Sequence, residues 1–307
     1  MKADRDVGMT AHRLNNAVHK MRWGLQAVGF RNALEGSLRL LKLKVRRPIQ
    51  GEITLRSGPR LQFAYPTQLP RTLVMFGDFI DPEYAFLREI VRPDWIIADV
   101  GAAIGQFSIF AAKLPCAVVH AYEPSSINVA TLRANIKQND VCKRVEVHQI
   151  ALSNESGSAI FATAGQAWMS SLSSQAQNGE RVSVRRLSDE LERVGASHLS
   201  VLKINVSGHE PEVLAGAVEV LAAGRVDVLI LLLGLTSLVW YERIHRLGYR
   251  FFYYHPLCKT LYEVATFDEA SVLSNIPWPA RHIIAIRSDA IKAGILSSLR
   301  MERGHSL

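Results

Sequence analysis

Four short stretches hold the side chains and turns that could do chemistry. A strand-like segment ends in Asp99, and the bend Gly101-Ala102-Ala103-Ile104-Gly105 follows it before helical text at 106–113. Glycines there let the backbone turn tightly off a strand and approach a ligand, while the start of a helix offers N–H groups to it. The next strand ends in Tyr122-Glu123-Pro124, 24 residues beyond Asp99 and one strand–helix–strand unit later. An acid in that place can accept hydrogen bonds from both hydroxyls of a ribose. Together the two signals point to a nucleotide-like cofactor. The bend reads GxxxG rather than GxGxxG and is not followed by GK[ST], which disfavours dinucleotide dehydrogenases and P-loop kinases or ATPases.

Further along, His209 and Glu210 follow Gly208 at the opening of a helix. Imidazole has an ordinary pKa of about 6.5 and can take a proton at neutral pH, so His209 is a candidate general base. Both residues also suit a plain helix start, where an acid meets the positive end of the dipole. The stretch 166–178 is rich in serine and carries Trp168 and Met169, which fits either a lip over a polar substrate or an ordinary surface loop.

The elements that must position these residues alternate. Strand-like segments at 95–100, 117–122, 145–150, 201–206 and 226–233 are separated mostly by helical text such as 126–138 and 210–222. That rhythm predicts an α/β domain with a parallel sheet and helices on both faces. After a helix near 237–247, strands at 249–254 and 282–287 suggest an antiparallel pair at the sheet edge. Upstream, two short strands flank Ser57-Gly58-Pro59, and Asp81-Pro82-Glu83 opens a helix through Ile90. The expected division is a basic helical extension at 1–50, a small β/helix lead-in at 51–90, the main domain at 91–290 and a tail at 291–307.

Residues 1–50 carry 11 Lys and Arg against 3 Asp and Glu, so the whole net charge of +8 lies there. Leu14, Val18, Met21, Leu25 and Val28 form one apolar stripe at helical spacing, and Leu34, Leu38, Leu41 and Val45 form another. Such stripes pack on the main domain or on a second subunit, giving a homo-oligomer, with the charges as a solvated face. An anionic membrane surface is the other partner that clustered bases reward. No aromatic-interleaved basic platform supports nucleic acid as a partner.

These residues resemble the FkbM family of S-adenosylmethionine-dependent methyltransferases, whose members read D-V-G-A-N-I-G, F-E-P, A-L-(G/S)-(D/N)-x-x-G, S-S-L and K-I-D-V-E-G-x-E in order. The chain has DVGAAIG at 99–105, YEP at 122–124, ALSNESG at 151–157, SSL at 170–172 and KINVSGHE at 203–210. The resemblance implies a Rossmann-like class I methyltransferase fold with a seven-stranded sheet and S-adenosylmethionine as cofactor. It places Asp99, Gly101, Ala102, Ala103 and Gly105 along the methionine and sulfonium end, Glu123 and Pro124 at the ribose, and Ser153 and Asn154 beside the adenine. It also implies O-methylation of a sugar, glycan or related natural-product hydroxyl, and Trp168, Ser170, Ser171 and Ser207 are the residues expected near that acceptor.

The chain departs from the family pattern where catalysis would occur. Asn205 and Ser207 stand where the family has Asp and Glu, and the strand after them, LILLLG, ends without an acid. Carboxylates there could orient the hydroxyl, take its proton or bind a metal. Asn205 can still hydrogen-bond but carries no charge. His209, Asn205 and Glu210 are therefore the expected catalytic set, and the alternative is a methyltransferase-fold protein that binds cofactor in a regulatory or structural role.

Composition sets the remaining bounds. With 48% hydrophobic and 21% charged residues, the chain is globular in composition, and at 307 residues it can bury a large core without staples. Cys116, Cys142 and Cys258 fit neither a disulfide framework nor zinc-ligand spacing, so no metal site is expected. No apolar run approaches membrane-span length and the start lacks a secretory core, which predicts a cytoplasmic protein.

Overall fold

The computed structural model describes residues 25, 29–46, 50–65, 68, 71–77, 81–162, 171–173, 179–232, 235–264, 267 and 282–303. In chain order the elements are α1 (Phe30–Arg46), β1 (Gln50–Thr54), β2 (Arg60–Ala64), α2 (Arg71–Phe76), α3 (Glu83–Ile90), β3 (Ile96–Val100), α4 (Gln106–Lys113), β4 (Val118–Tyr122) and α5 (Ser126–Gln138). Then come β5 (Val145–His148), β6 (Ala151–Leu152), β7 (Gly157–Ala162), β8 (Ser171–Ser173), β9 (Glu180–Arg185), α6 (Leu187–Arg193), β10 (Leu199–Ile204) and α7 (Glu210–Ala222). The chain continues through β11 (Val226–Leu232), α8 (Leu235–Arg246), β12 (Tyr249–His255), β13 (Thr260–Val264), β14 (His282–Arg287), α9 (Ser288–Lys292) and β15 (Arg300–Arg303).

The main sheet runs β15-β13-β12-β14-β11-β10-β3-β4-β5. From β5 to β11 all neighbours are parallel, while β14 lies antiparallel between β11 and β12. All six residues of β10 are buried, as a central strand covered on both faces requires. Strand order reverses between β3 and β10, and ligands of open α/β sheets bind in the crevice at such a reversal, outside the carboxyl ends.

The sheet corrects three expectations. Nine described strands make it up instead of seven, and a separate four-stranded sheet, β6-β9-β7-β8, follows β5. The β12–β14 pair is antiparallel as expected but does not form the edge. Residues 282–286 are buried throughout, so β14 belongs inside, and the more polar β13 and β15 close that side. The stretch expected as a tail thus supplies an edge strand, with Leu261 facing Met301 in parallel register.

The lead-in is stitched to the main domain by two buried amides. Asn135 on α5 accepts a hydrogen bond from Gln62 N (2.7 Å) and donates to the carbonyls of Gln62 (3.0 Å) and Ile104 (2.9 Å). Asn139, one turn on, accepts from Arg60 N (2.9 Å) and donates to Arg60 O (2.6 Å). The edge of β2 is thereby satisfied by side chains, as an otherwise unpaired buried strand edge demands.

Helix α1 docks differently from expectation. It meets the domain through Ala33, Gly36 and Leu40, and a Cβ at Gly36 would fall 2.0 Å from Met75 O, so only glycine permits this approach. Leu34, Leu38, Leu41 and Val45 are exposed, together with Phe30. Of the expected partners for this stripe, the main domain is ruled out, since the stripe is the face turned away from it. Leu25 of the earlier stripe packs partly on the core, and the other members of that stripe lie outside the described residues. No described helix is long and apolar enough to cross a membrane.

Candidate functional site

The bend after β3 holds its shape through its own hydrogen bonds. The amides of Gly101 and Ala102 both donate to Tyr122 O at 3.0 Å, and Gly105 N donates to Ala102 O at 2.8 Å. Ala103 N donates to Glu123 Oε2 at 2.9 Å. A Cβ at Gly101 would lie 2.1 Å from Asn205 O, and the residue has φ 82°, so glycine is needed twice over at this crossing of β3 and β10. Ala103 has φ 48°, a left-handed conformation that costs a non-glycine residue about 1–2 kcal/mol. The family pattern has Asn there, which tolerates that region better. Instead of pointing four free N–H groups at a ligand, the bend spends them on a rigid contour.

Asp99 anchors that contour. It is fully buried, with Oδ1 3.0 Å from Lys203 Nζ and Oδ2 accepting from Ser108 Oγ at 2.6 Å. The pair follows from register, since Lys203 on β10 is the direct neighbour of Asp99 on β3. The Lys203 ammonium also lies 5.0 Å from the centre of the Phe107 ring. Sequence reading assigned Lys203 no role. The available signal was a lysine within an otherwise apolar, doubly covered strand, which requires a buried acid beside it.

Glu123 is buried at the end of β4. Its carboxylate accepts from Ala103 N, from Ser125 N (3.1 Å) and from Asn128 Nδ2 (3.2 Å). Burial pushes its carboxyl above the usual carboxylate range, opposed by these three hydrogen bonds. A carboxylate has about four acceptor positions. Three are used, so one remains for a ribose hydroxyl, and a second hydroxyl would have to displace a present donor. Pro124, half-buried, follows directly. The residues fit a nucleoside: a contoured glycine bend with an acid that retains acceptor capacity at the neighbouring strand end.

Ser153 and His209, expected at the adenine and at the catalytic centre, are in contact. His209 Nε2 lies 3.0 Å from Ser153 Oγ, and Nδ1 lies 3.4 Å from Glu212 Oε2. Burial lowers the His209 pKa, and Glu212 and Glu210 partly restore it. Asn154 is exposed beside them, with its Oδ1 accepting from Ser153 Oγ at 3.1 Å. Glu210 clamps the loop instead of facing it, with Oε1 accepting from Val206 N (2.8 Å) and Oε2 from Gly208 N (2.9 Å). Ser207 sits in that loop with φ 55° and is exposed. Ser171 lies on β8 opposite Ala162, and Trp168 and Ser170 fall outside the described residues.

Asn205 leads to a group that sequence reading missed. Its Nδ2 lies 3.3 Å from His282 Nε2, at the start of β14. On the other side of that ring, Nδ1 is 2.8 Å from Glu83 Oε1 and 3.9 Å from Asp81 Oδ1. Gln106 Nε2, on the first residue of α4, is 3.4 Å from Asp81 Oδ2. Two acids from the lead-in thus reach the rim where Asn205 and Ser207 lack them.

A methyltransferase FkbM domain model matches residues 99–257. The 31-O-demethyl-FK506 methyltransferase FkbM of Streptomyces tacrolimicus is 32% identical over 159 residues, covering 41% of this chain and 60% of that protein. The AMB antimetabolite synthetase AmbE of Pseudomonas aeruginosa is 35% identical over 153 residues, covering 48% of this chain and 7% of that protein. The crystal structure of a methyltransferase FkbM from Methylobacillus flagellatus aligns with a TM-score of 0.43 and 15% identity, over 70% of this chain and 54% of that one. The chain therefore spans 60% or less of the length of these curated relatives.

Proposed function

Because the chain belongs to the FkbM methyltransferase family, we propose that it is an S-adenosylmethionine-dependent O-methyltransferase acting on a hydroxyl of a sugar, glycan or related natural product. Its fold is the Rossmann-like class I methyltransferase fold. The observation that carries the reading is the Glu123 carboxylate bonded to Ala103 of the glycine bend, at the strand-order reversal of the sheet. That arrangement sets a ribose acceptor and a close backbone contour side by side.

S-adenosylmethionine, when bound, supplies an activated methyl group with a good leaving group. The residues that would hold it are Gly101–Gly105, Glu123 and, on the adenine side, Ser153 and Asn154. What the chain adds is position. Gly101 against Asn205 fixes the distance between the bend and the end of β10, where an acceptor would enter. In-line attack by a hydroxyl gains most from such fixed geometry. His209 would have to release Ser153 before it could take the hydroxyl proton.

The test is S-adenosylhomocysteine formation by the purified chain over a panel of hydroxylated acceptors. Product dependent on one acceptor class supports the reading. Cofactor binding without turnover on any of them favours the regulatory alternative, which the absence of acids at Asn205 and Ser207 motivates.

A further inference from the structure

We propose that Asp81, Glu83 and His282 form a binding site for one divalent transition-metal cation, of the Mn2+ or Zn2+ class, beside the cofactor bend. The proposal deepens the methyltransferase reading and rests on it only for the ion's use, since binding itself can be measured without turnover. All three side chains are no more than 2% exposed. One ligand atom from each lies within 4.8 Å of the others. Among the described residues, both oxygens of Glu83 and Nδ1 of His282 lack a hydrogen-bond partner. Although Glu83 Oε1 and His282 Nδ1 are only 2.8 Å apart, they do not meet hydrogen-bond geometry.

Buried polar atoms are nearly always paired, and buried charges are paired or coordinate a metal. Here two carboxylates share a pocket with an imidazole, while Lys203, the buried cation at the same rim, is already committed to Asp99. A divalent ion would meet the Glu83 oxygens and His282 Nδ1 at once. Ligands at roughly 2–2.2 Å from an ion stand about 3–4 Å apart, which is the scale of the 2.8 and 3.9 Å separations. Two oxygens and one imidazole nitrogen suit Mn2+, Fe2+ or Zn2+ better than Ca2+, which prefers oxygen alone.

Asn205 gains a role from this arrangement. A ring that ligates through Nδ1 must carry its proton on Nε2 and needs an acceptor there. The Asn205 amide, turned over, offers Oδ1 at the same place, so it can orient the ring in both states. Three protein ligands leave positions open, and an acceptor hydroxyl taking one would become easier to deprotonate. This compensates for the acids lost at 205 and 207. A second set, His120, Glu146 and His148, is less suited, because the Arg193 guanidinium already lies 2.8 Å from His148 Nδ1.

The experiment is calorimetric titration of Mn2+ and of Zn2+ into metal-stripped full-length protein, with electron paramagnetic resonance of the Mn2+ form. Expected are one equivalent bound per chain, a nitrogen coupling from the imidazole, and at least about 10-fold weaker binding in Glu83→Gln and His282→Gln. Glu146→Gln, in the second set, should bind as the wild type does. No binding by the wild type, or binding without nitrogen coupling, overturns the site, and these readouts need no variant to fold. S-adenosylmethionine is titrated into the same sample. Metal bound with no cofactor binding sinks the methyltransferase reading alone, and cofactor bound with no metal binding sinks the cation site alone.

Discussion

The two halves of the rim are built in opposite ways. Around the bend, the amides of Gly101, Ala102, Ala103 and Gly105, both oxygens of Asp99, Lys203 and Glu123 all have partners. Around His282, that ring and Glu83 are equally buried and hold polar atoms without hydrogen bonds among the described residues. A surface whose bonds close on themselves keeps its shape whether or not a ligand is present, so the first half is preorganised. The second half has unused valence, and its stability depends on what occupies it.

The comparison can be broken at several points. The largest effect is expected from Lys203→Met, which leaves Asp99 buried beside Ser108 alone. Removing one partner of a buried ion pair costs about 3–5 kcal/mol, and urea denaturation should show that loss. Gly101→Ala comes next, at roughly 2–4 kcal/mol from a left-handed φ plus a clash with Asn205 O. Its cofactor affinity should fall with it.

A pH series probes a third place, the stack of His148 on Tyr122 under the bend, with ring centres 4.7 Å apart. Burial, reinforced by His120, lowers the His148 pKa from 6.5 to about 4. Burial likewise lowers that of His120. The unfolded chain therefore takes up these protons first, and stability should be full above about pH 6.5 and fall progressively toward pH 4. A flat profile across that window would mean the imidazoles are solvated.

Smaller effects sharpen the contrast. In metal-free protein, Glu83→Gln should change stability by less than about 1 kcal/mol or raise it, because it removes a buried charge whose two oxygens have no hydrogen-bond partner among the described residues. A loss as large as that of Lys203→Met would erase the distinction between the halves. Ala103→Asn should gain about 0.5–1 kcal/mol by easing the residue at φ 48°, read as a higher melting temperature.

The geometry around the bend was legible in the sequence and the geometry around His282 was not, for one physical reason. Asp99, the bend and Glu123 lie within a single strand–helix–strand unit, so spacing along the chain maps onto spacing in space. The strands 96–100 and 118–122 and helix 106–113 emerge within a residue of where periodicity put them, while the strand expected at 201–206 runs two residues earlier, at 199–204. Asp81, Glu83, Asn205 and His282 are separated by up to two hundred residues and meet only because β14 inserts between β11 and β12. In sequence, Asp81 and Glu83 read as a helix start and His282 as the head of an edge strand. Helix α1 shows a related limit: apolar periodicity revealed the helix, but the small residues Ala33 and Gly36 decide which face docks.

The central claim is that the bend and Glu123 form a preorganised S-adenosylmethionine site, and calorimetric titration of the cofactor into wild-type and Glu123→Ala protein tests it most directly. One cofactor should bind per wild-type chain. The variant should bind it about 1–3 kcal/mol more weakly while still folded, the range for losing charge-assisted hydrogen bonds. No binding by the wild type, or equal affinity in a folded variant, would contradict the account.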